Sequence, residues 1–323
     1  MIVWNILFLS LLFGQGSELG VNPNETALVD FSDMALVSDN LFLAVSDRKN
    51  TIEPGCRGML LTLTKDRGLN VQPVSVADWL DHEQEPNDLE ACCRVPGREN
   101  EFLLAESGCY QGKYGRVFHV SLQGEAGRRP SLKINGVMRI YRRPLDLANR
   151  TYSGDNVAGM VCFEADGKFV LGFGERGGVS SSGSKLATLV WGELDLDEYE
   201  FHLWGESPLV NQSVLQARDC AALHLVPDEK GGYSVISVAT QDPGDNGPFY
   251  SVVYRAGHFV PSKTGERFEF EISQTPEFLA HVDGHKVEGV SGPVSNAPQS
   301  DFSIATDDEN LGGVWRAIVV DRR

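Results

Sequence analysis

The chain has 323 residues, with 28 Lys and Arg against 45 Asp and Glu, a formal net charge of −17. At roughly 100–200 residues per domain, this length suits two ordinary domains or one large repeat-built domain; 41% hydrophobic and 23% charged residues exclude a wholly disordered chain. A pI near 4.8 argues against a nucleic-acid binder and against docking on anionic lipid, because both depend on clustered Lys and Arg. It suits cationic partners, or metal ions that gather carboxylates in one place.

Residues 1–14, MIVWNILFLSLLFG, are apolar and uncharged. The run is shorter than the roughly 20 residues of a membrane span and has the length of a signal-peptide core. Gly14 and Gly16 supply small residues at the −3 and −1 positions. The expectation is a signal peptide over residues 1–16 and a secreted or periplasmic protein. No later segment reads as a membrane helix, so no span is expected after signal removal.

Beyond the leader, one pattern recurs. A short apolar strand opens with a polar residue, turns, and is followed by a strand that ends in an acid. Its copies are FSDMALVS with NLFLAVSD, ending at Asp47, then DLEA with EFLLAESG and Glu106. Next come NVAG with KFVLGFGERGG and Glu175, then DCAA with GYSVISVATQD and Asp242. The last copy is KVEG with DFSIATDDE, containing Asp307 and Asp308.

The starts lie near residues 32, 88, 156, 219 and 286, which leaves room for two further strands in each period. Those strands are RGMLLTLT and NVQPVSV, GRVFHVSL and LKINGVMRIY, ATLVWGEL and EFHLWGE, PFYSVVYR and FEFEIS. They are rich in β-branched and aromatic residues and are bounded by Gly, Pro, Asp and Asn. Only VADWLDHEQ reads as a short helical turn.

A four-stranded unit repeated around a ring is a β-propeller. The expected fold is all-β, a single propeller over residues 25–323 with five four-stranded blades; six is the alternative if a long connection hides another. The last repeat offers only VEGVSG, DFSIATD and GVWRAIVV, so the N-terminal ETALVDF is expected to supply its missing strand and close the ring. The runner-up, a pair of β-sandwiches, leaves the repeat unexplained.

Six cysteines in an exported chain permit disulfides. Cys92 and Cys93 are adjacent, match no zinc spacing, and point to opposite faces of a strand. The candidate bridges are Cys56 with Cys92 or Cys93, and Cys109 with one of that pair. Cys162 and Cys220 read as buried thiols. Asn24, Asn149 and Asn211 lie in N-x-S/T sequons.

In a propeller the first strand of each repeat lines the channel. The motif acids then gather at one mouth, so Asp47, Glu90, Glu106, Glu175, Asp242, Glu288, Asp307 and Asp308 are the candidate metal ligands. Clustered carboxylates need counter-charge, which Arg48, Arg176, Arg218 and Lys286 are placed to supply. The other solution is a hard cation such as Ca²⁺ held by oxygen ligands. Other motifs are weak. His281 and His285 flank an Asp-Gly turn rather than forming HExxH, and GFGERGGVSSSGSK is neither a P-loop nor a GxSxG elbow but a flexible connection.

NDLEACCRVPGRENEFLLAESG, NVAGMVCFEADGKFVLGFGERGG and HKVEGVS with SIATDDENLGG together resemble the blades of secreted bacterial propellers of the esterase-like and phytase-like group. The resemblance runs over about residues 25–320. It maps that group's blade acids onto Glu90, Glu106, Glu175, Glu288, Asp307 and Asp308. Ala158 and Ala221 stand where the pattern would prefer Glu.

The functional expectation is a calcium-containing propeller that hydrolyses a phosphoester or carboxylester. Glu288 and Asp307 would serve as ligands or general base, while Arg176 and Arg218 hold a small anionic substrate. One alternative is a non-catalytic module that captures a protein partner on a propeller face. Another is a lactonase-like metal hydrolase using Asn156 and Glu288. A monomer is expected in each case.

Overall fold

Each sequence repeat folds as one antiparallel sheet. The computed structural model describes residues 29–48, 56–66, 68–76, 78–82, 84–108, 115–124, 129–139, 157–180, 183–212, 214–215, 218–229 and 231–320. The expected leader, Cys109, Asn24, Asn149 and Asn156 lie outside these residues.

Blade one is β1 (Asp33–Ser38), β2 (Leu41–Val45), β3 (Gly58–Leu63) and β4 (Leu69–Pro73) in sequential order. Short β5 (Ser75–Val76) then runs parallel to the outer strand of blade two, which is β6 (Leu89–Arg94), β7 (Glu101–Glu106), β8 (Arg116–Gln123) and β9 (Ser131–Arg139). Between β5 and β6, the expected helical turn appears as a 3-10 segment over Trp79–His82, with Trp79 packed edge-on against Phe118 at 5.0 Å between centroids.

Blade three starts with β10 (Val157–Ala165) and β11 (Lys168–Glu175). The Gly/Ser stretch that follows, read from sequence as a flexible connection, instead pairs as a hairpin of β12 (Gly178–Ser180) and β13 (Gly183–Lys185). Strands β14 (Thr188–Asp195) and β15 (Glu200–Pro208) complete the blade. Blade four is β16 (Arg218–Pro227), β17 (Tyr233–Gln241), β18 (Tyr250–Pro261) and β19 (Phe268–Asp283). Blade five is β20 (Val287–Ser291), β21 (Phe302–Thr306) and β22 (Trp315–Ile318).

The chain is therefore an all-β, five-bladed propeller. The inner strands β1, β6, β10, β16 and β20 touch in succession, and β20 returns to β1. A separate apolar core fills each of the five gaps between blades. The closing core joins Phe31, Met34 and Phe42 of blade one to Ala305 and Trp315 of blade five. Phe31 N–H donates to Thr306 C=O at 3.2 Å, and Gly313 N–H to Val29 C=O, so the N-terminal segment is tied to the last blade. Residues 25–28 of the expected closing strand lie outside the described residues, among which the fifth sheet has three strands.

Inner strands send neighbouring side chains to different gaps. Cys92 belongs to the core between blades one and two, and Cys93 to the core between two and three. This corrects the expected disulfides: Cys56, Cys92 and Cys93 are free thiols, as are Cys162 and Cys220. Cys92 Sγ donates to Leu43 C=O at 3.5 Å, and Cys56 Sγ lies 3.7 Å from Val74 C=O, so the two face different neighbours.

Close packing of the inner strands makes Gly159 sensitive. A Cβ there would sit 2.7 Å from Leu223 N and 2.8 Å from Ala222 C, both backbone atoms of the next blade. Gly159→Ala must push β10 from β16, with an expected loss of about 1–3 kcal/mol in urea unfolding. Gly292→Ala, whose Cβ meets only the His224 ring at 3.9 Å, is the near-neutral control.

Candidate functional site

The acids reach the axis through a recurring β-bulge. In blade two, Leu89 pairs with Glu106 and then Ala91 with Ala105, leaving Glu90 as the extra residue. Blade three repeats this around Ala158, and blade five around Glu288. In blade four the slip is longer and covers residues 219–221. A bulged residue is unpaired and re-aimed, so this slot in blades two, three and five turns toward the channel mouth, while in blade one the register slips only between Leu36 and Ser38. The second strand ends beside it, which places Asp47, Asp242 and Asp307 at that mouth.

Three cations organise the cluster. Glu288 Oε1 lies 3.0 Å from Arg218 Nη1, 3.4 Å from Lys286 Nζ and 3.8 Å from Arg176 Nη2. Arg218 also reaches Asp242 at 2.9 Å, and Arg176 pairs with Glu90. Lys286 Nζ donates to Asp307 at 2.7 Å and to Glu309, and stands 3.8 Å from Asp242. Carboxylate oxygens of Asp47, Asp88 and Glu90 lie within 4.8 Å of one another. All five blades thus contribute to one network, with acids from four of them and Arg176 from blade three. Its core is dry, since the side chains of Lys286, Glu288 and Asp307 are 4%, 2% and 2% exposed.

Burial and neighbouring charge set the protonation of this mouth. Burial, reinforced by Glu288, pushes the Asp307 carboxyl up to about 8 despite Lys286. Burial also raises Glu90 well above the usual carboxylate range, against the pull of Arg176. For Lys286, burial works against the ammonium, but Glu288 and Asp307 outweigh it and hold its pKa above the ordinary lysine value. Arg176 is raised in the same way by Glu90 and Glu288.

The remaining sequence-predicted acids have other partners. Glu106, fully buried, receives Arg116 Nε at 3.0 Å, Arg116 Nη2 at 2.6 Å and the Asn87 N–H at 2.9 Å. Asp308 accepts from Lys286 N–H at 2.7 Å and Thr306 Oγ1 at 3.0 Å, and faces His285 Nδ1 at 2.7 Å. Glu175 is buried at the end of β11. Sequence reading singled out the first acid of neither β1 nor blade two as a site residue. Asp33 is buried, accepts the N–H of Met34 at 2.7 Å and of Cys92 at 2.8 Å, and so staples blade one to blade two. Burial raises its pKa well above normal. Asp88, at φ 68°, opens the second repeat and joins Asp47 and Glu90. Its position as the repeat's first polar residue was the available signal.

Among the described residues, no helix is long and apolar enough to cross a membrane. No protein-family model matches the chain, and no curated protein matches it by sequence. Solved structures do. An exo-1,5-α-L-arabinanase from a bovine ruminal metagenomic library is similar, with TM-score 0.51, 10% identity, and coverage of 92% of this chain and 96% of that one. A GH43 β-1,3-galactosidase aligns at TM-score 0.46 with 11% identity, covering 91% and 92% of the two chains. An α-L-arabinanase from Cellvibrio cellulosa aligns at 0.45 with 11% identity, covering 90% and 91%. At such identities the likeness to the first structure supports the β-propeller fold and carries nothing about chemistry.

Proposed function

We propose that the acidic mouth is the active site of a hydrolase that cleaves a neutral, oxygen-linked substrate: an ester, a lactone or a glycoside. The observation behind this reading is the Lys286 cluster, in which the Asp307 carboxyl is buried 2.7 Å from Lys286 and burial pushes its pKa up to about 8. Acid–base hydrolysis needs two carboxyls whose environments push their pKa values apart. Asp307 would donate a proton to the leaving oxygen. Glu288, fixed by Arg218 and Lys286, would take a proton from the attacking water, whose oxygen bonds to the substrate carbon as the bond to the leaving oxygen breaks. Arg176 and Arg218 are already engaged by Glu90, Asp242 and Glu288, so they position carboxylates rather than bind an anion. That favours a neutral substrate over a phosphoester.

Asp47, Asp88 and Glu90 form an all-oxygen donor set that fits a hard divalent cation such as Ca²⁺. When bound there, such an ion would polarise a substrate oxygen. The arabinanase with the similar fold acts, by its name, on a glycoside, and a glycoside therefore belongs among the substrates tested.

A second reading has its own support. Most of these carboxylates already accept protein hydrogen bonds, as a stapled, non-catalytic binding module would have them. Chromogenic aryl acetate, lactone, aryl arabinoside and aryl phosphate substrates, each with Ca²⁺ and with EDTA, separate the two. The proposal expects turnover of an uncharged substrate and a Ca²⁺-dependent rise in the unfolding midpoint that Asp88→Asn removes. Absence of turnover in all four classes would leave the binding module as the better account.

A further inference from the structure

The inner strands also enclose space farther along the axis, beyond the acidic mouth. A cavity of about 270 Å³ lies there, and every blade contributes to its wall. The wall is mostly apolar, with Met34 from β1, Met160 from β10, Leu223 from β16 and Val290 from β20. At about 3.3 Å per residue, the cavity begins roughly 7 Å along β20 from the bulged Glu288, at Val290. The two ends are chemical opposites. The first mouth gathers acids from four blades. The cavity, in a chain with 45 Asp and Glu, has none among the described residues lining it.

Its strongest polar side chains are Arg94 and His224, joined by the Ser291 hydroxyl and the thiols of Cys92, Cys93 and Cys162. Arg94 is exposed at the end of β6, and its Nη1 donates to Val37 C=O at 3.4 Å, which leaves guanidinium N–H groups for a ligand. His224 is half-buried and packs edge-on against Phe302 at 6.2 Å. Burial pulls its imidazole pKa down to about 4, so the ring is neutral at physiological pH. Arg94 is then the single formal charge among the described residues of the wall.

We propose that this second mouth binds a small apolar carboxylate, its hydrocarbon body among Met34, Met160, Leu223 and Val290 and its carboxylate on Arg94. An apolar pocket with one well-placed charge is the usual composition of a small-molecule site. The guanidinium supplies paired, charge-assisted donors that an ammonium ligand would repel. The site is independent of the acidic mouth and of any reaction there.

Calorimetric titration with 4-phenylbutyrate, 4-phenylbutanamide and 4-phenylbutylamine tests this. The carboxylate is expected to bind about tenfold or more tighter than the amide, and the amine not to bind. Arg94→Met should reduce the carboxylate to the affinity of the amide. Gly292→Phe should abolish binding at an unchanged unfolding midpoint, because a Cβ there meets only the His224 ring, at 3.9 Å. Equal affinity for carboxylate and amide, tighter binding of the amine, or binding that survives Gly292→Phe would each overturn the proposal, as would no saturable binding in the millimolar range.

Discussion

Lys286→Met is expected to cost about 3–5 kcal/mol of stability at neutral pH, the penalty for leaving buried carboxylates without their cation. Lys286 stands within 4.0 Å of Asp242, Glu288, Asp307 and Glu309, and its own side chain is 4% exposed. Methionine keeps much of the volume and removes only the charge. Arg176 and Arg218 remain, but neither is paired with Asp307 among these contacts. Urea unfolding of the wild type and the variant measures the loss.

The pH dependence has a definite sign. A buried carboxyl whose folded pKa lies above its unfolded value makes the fold more stable as pH falls from the folded pKa toward the unfolded one. Asp307, already pushed up to about 8 with Lys286 present, rises further without it. The part of the Lys286→Met deficit that belongs to Asp307 should therefore shrink as pH falls toward about 8 and stay level below it, where both folded proteins hold that carboxyl protonated. A double variant with Glu288→Gln should recover part of the loss. A deficit below about 1 kcal/mol at pH 7 would mean that the cluster is screened like a surface ion pair.

Arg116→Met is expected to have a comparable effect, about 3–5 kcal/mol, with a different structural signature. Arg116 and Glu106 are 2% and 0% exposed and make a two-pronged pair. The same guanidinium donates from Nη1 to the His82 and Gln84 carbonyls at 2.8 and 3.2 Å, and from Nη2 to Glu85 at 3.3 Å. Those carbonyls belong to the segment that leads from the 3-10 turn into blade two. The variant thus strands a buried carboxylate and frees that crossing together. Hydrogen exchange should rise first around residues 79–87 and leave the Lys286 cluster protected. Arg116→Met with Glu106→Met should regain much of the stability, because a well-packed apolar pair can replace a buried ion pair. Failure of the double variant to recover would place the loss in the freed segment alone.

The ring was legible because each blade repeats the same two strands around the same turn. The residues near 32, 88, 156, 219 and 286 that open the repeats also open β1, β6, β10, β16 and β20. Convergence of Glu90, Asp242, Glu288 and Asp307 followed from placing the first strand on the axis. What sequence spacing could not supply was the bulge. One extra residue redirects Glu90 and Glu288, and a simple alternation of faces does not contain it. Nor does spacing choose a partner for Glu106, whose arginine arrives from the next strand ten residues on. The cysteines show the same limit. Adjacent thiols on an inner strand serve two inter-blade cores, so a chain-order list suggests bridges that the ring keeps apart. Arg176 and Arg218, expected both as counter-charge and as groups that hold a substrate, pair with Glu90, Asp242 and Glu288.

The acidic mouth as a hydrolytic site rests on Asp307 as proton donor. The most direct measurement is the pH–rate profile of the substrate that the panel turns over, for wild type and Asp307→Asn side by side. The acid must be protonated to act, so the wild-type rate should fall as pH rises through about 8. Asp307→Asn should lose about 100-fold or more in kcat, the scale of a general acid, with its unfolding midpoint close to that of the wild type. Equal rates for the two proteins, or an unchanged alkaline limb in the variant, would contradict the account.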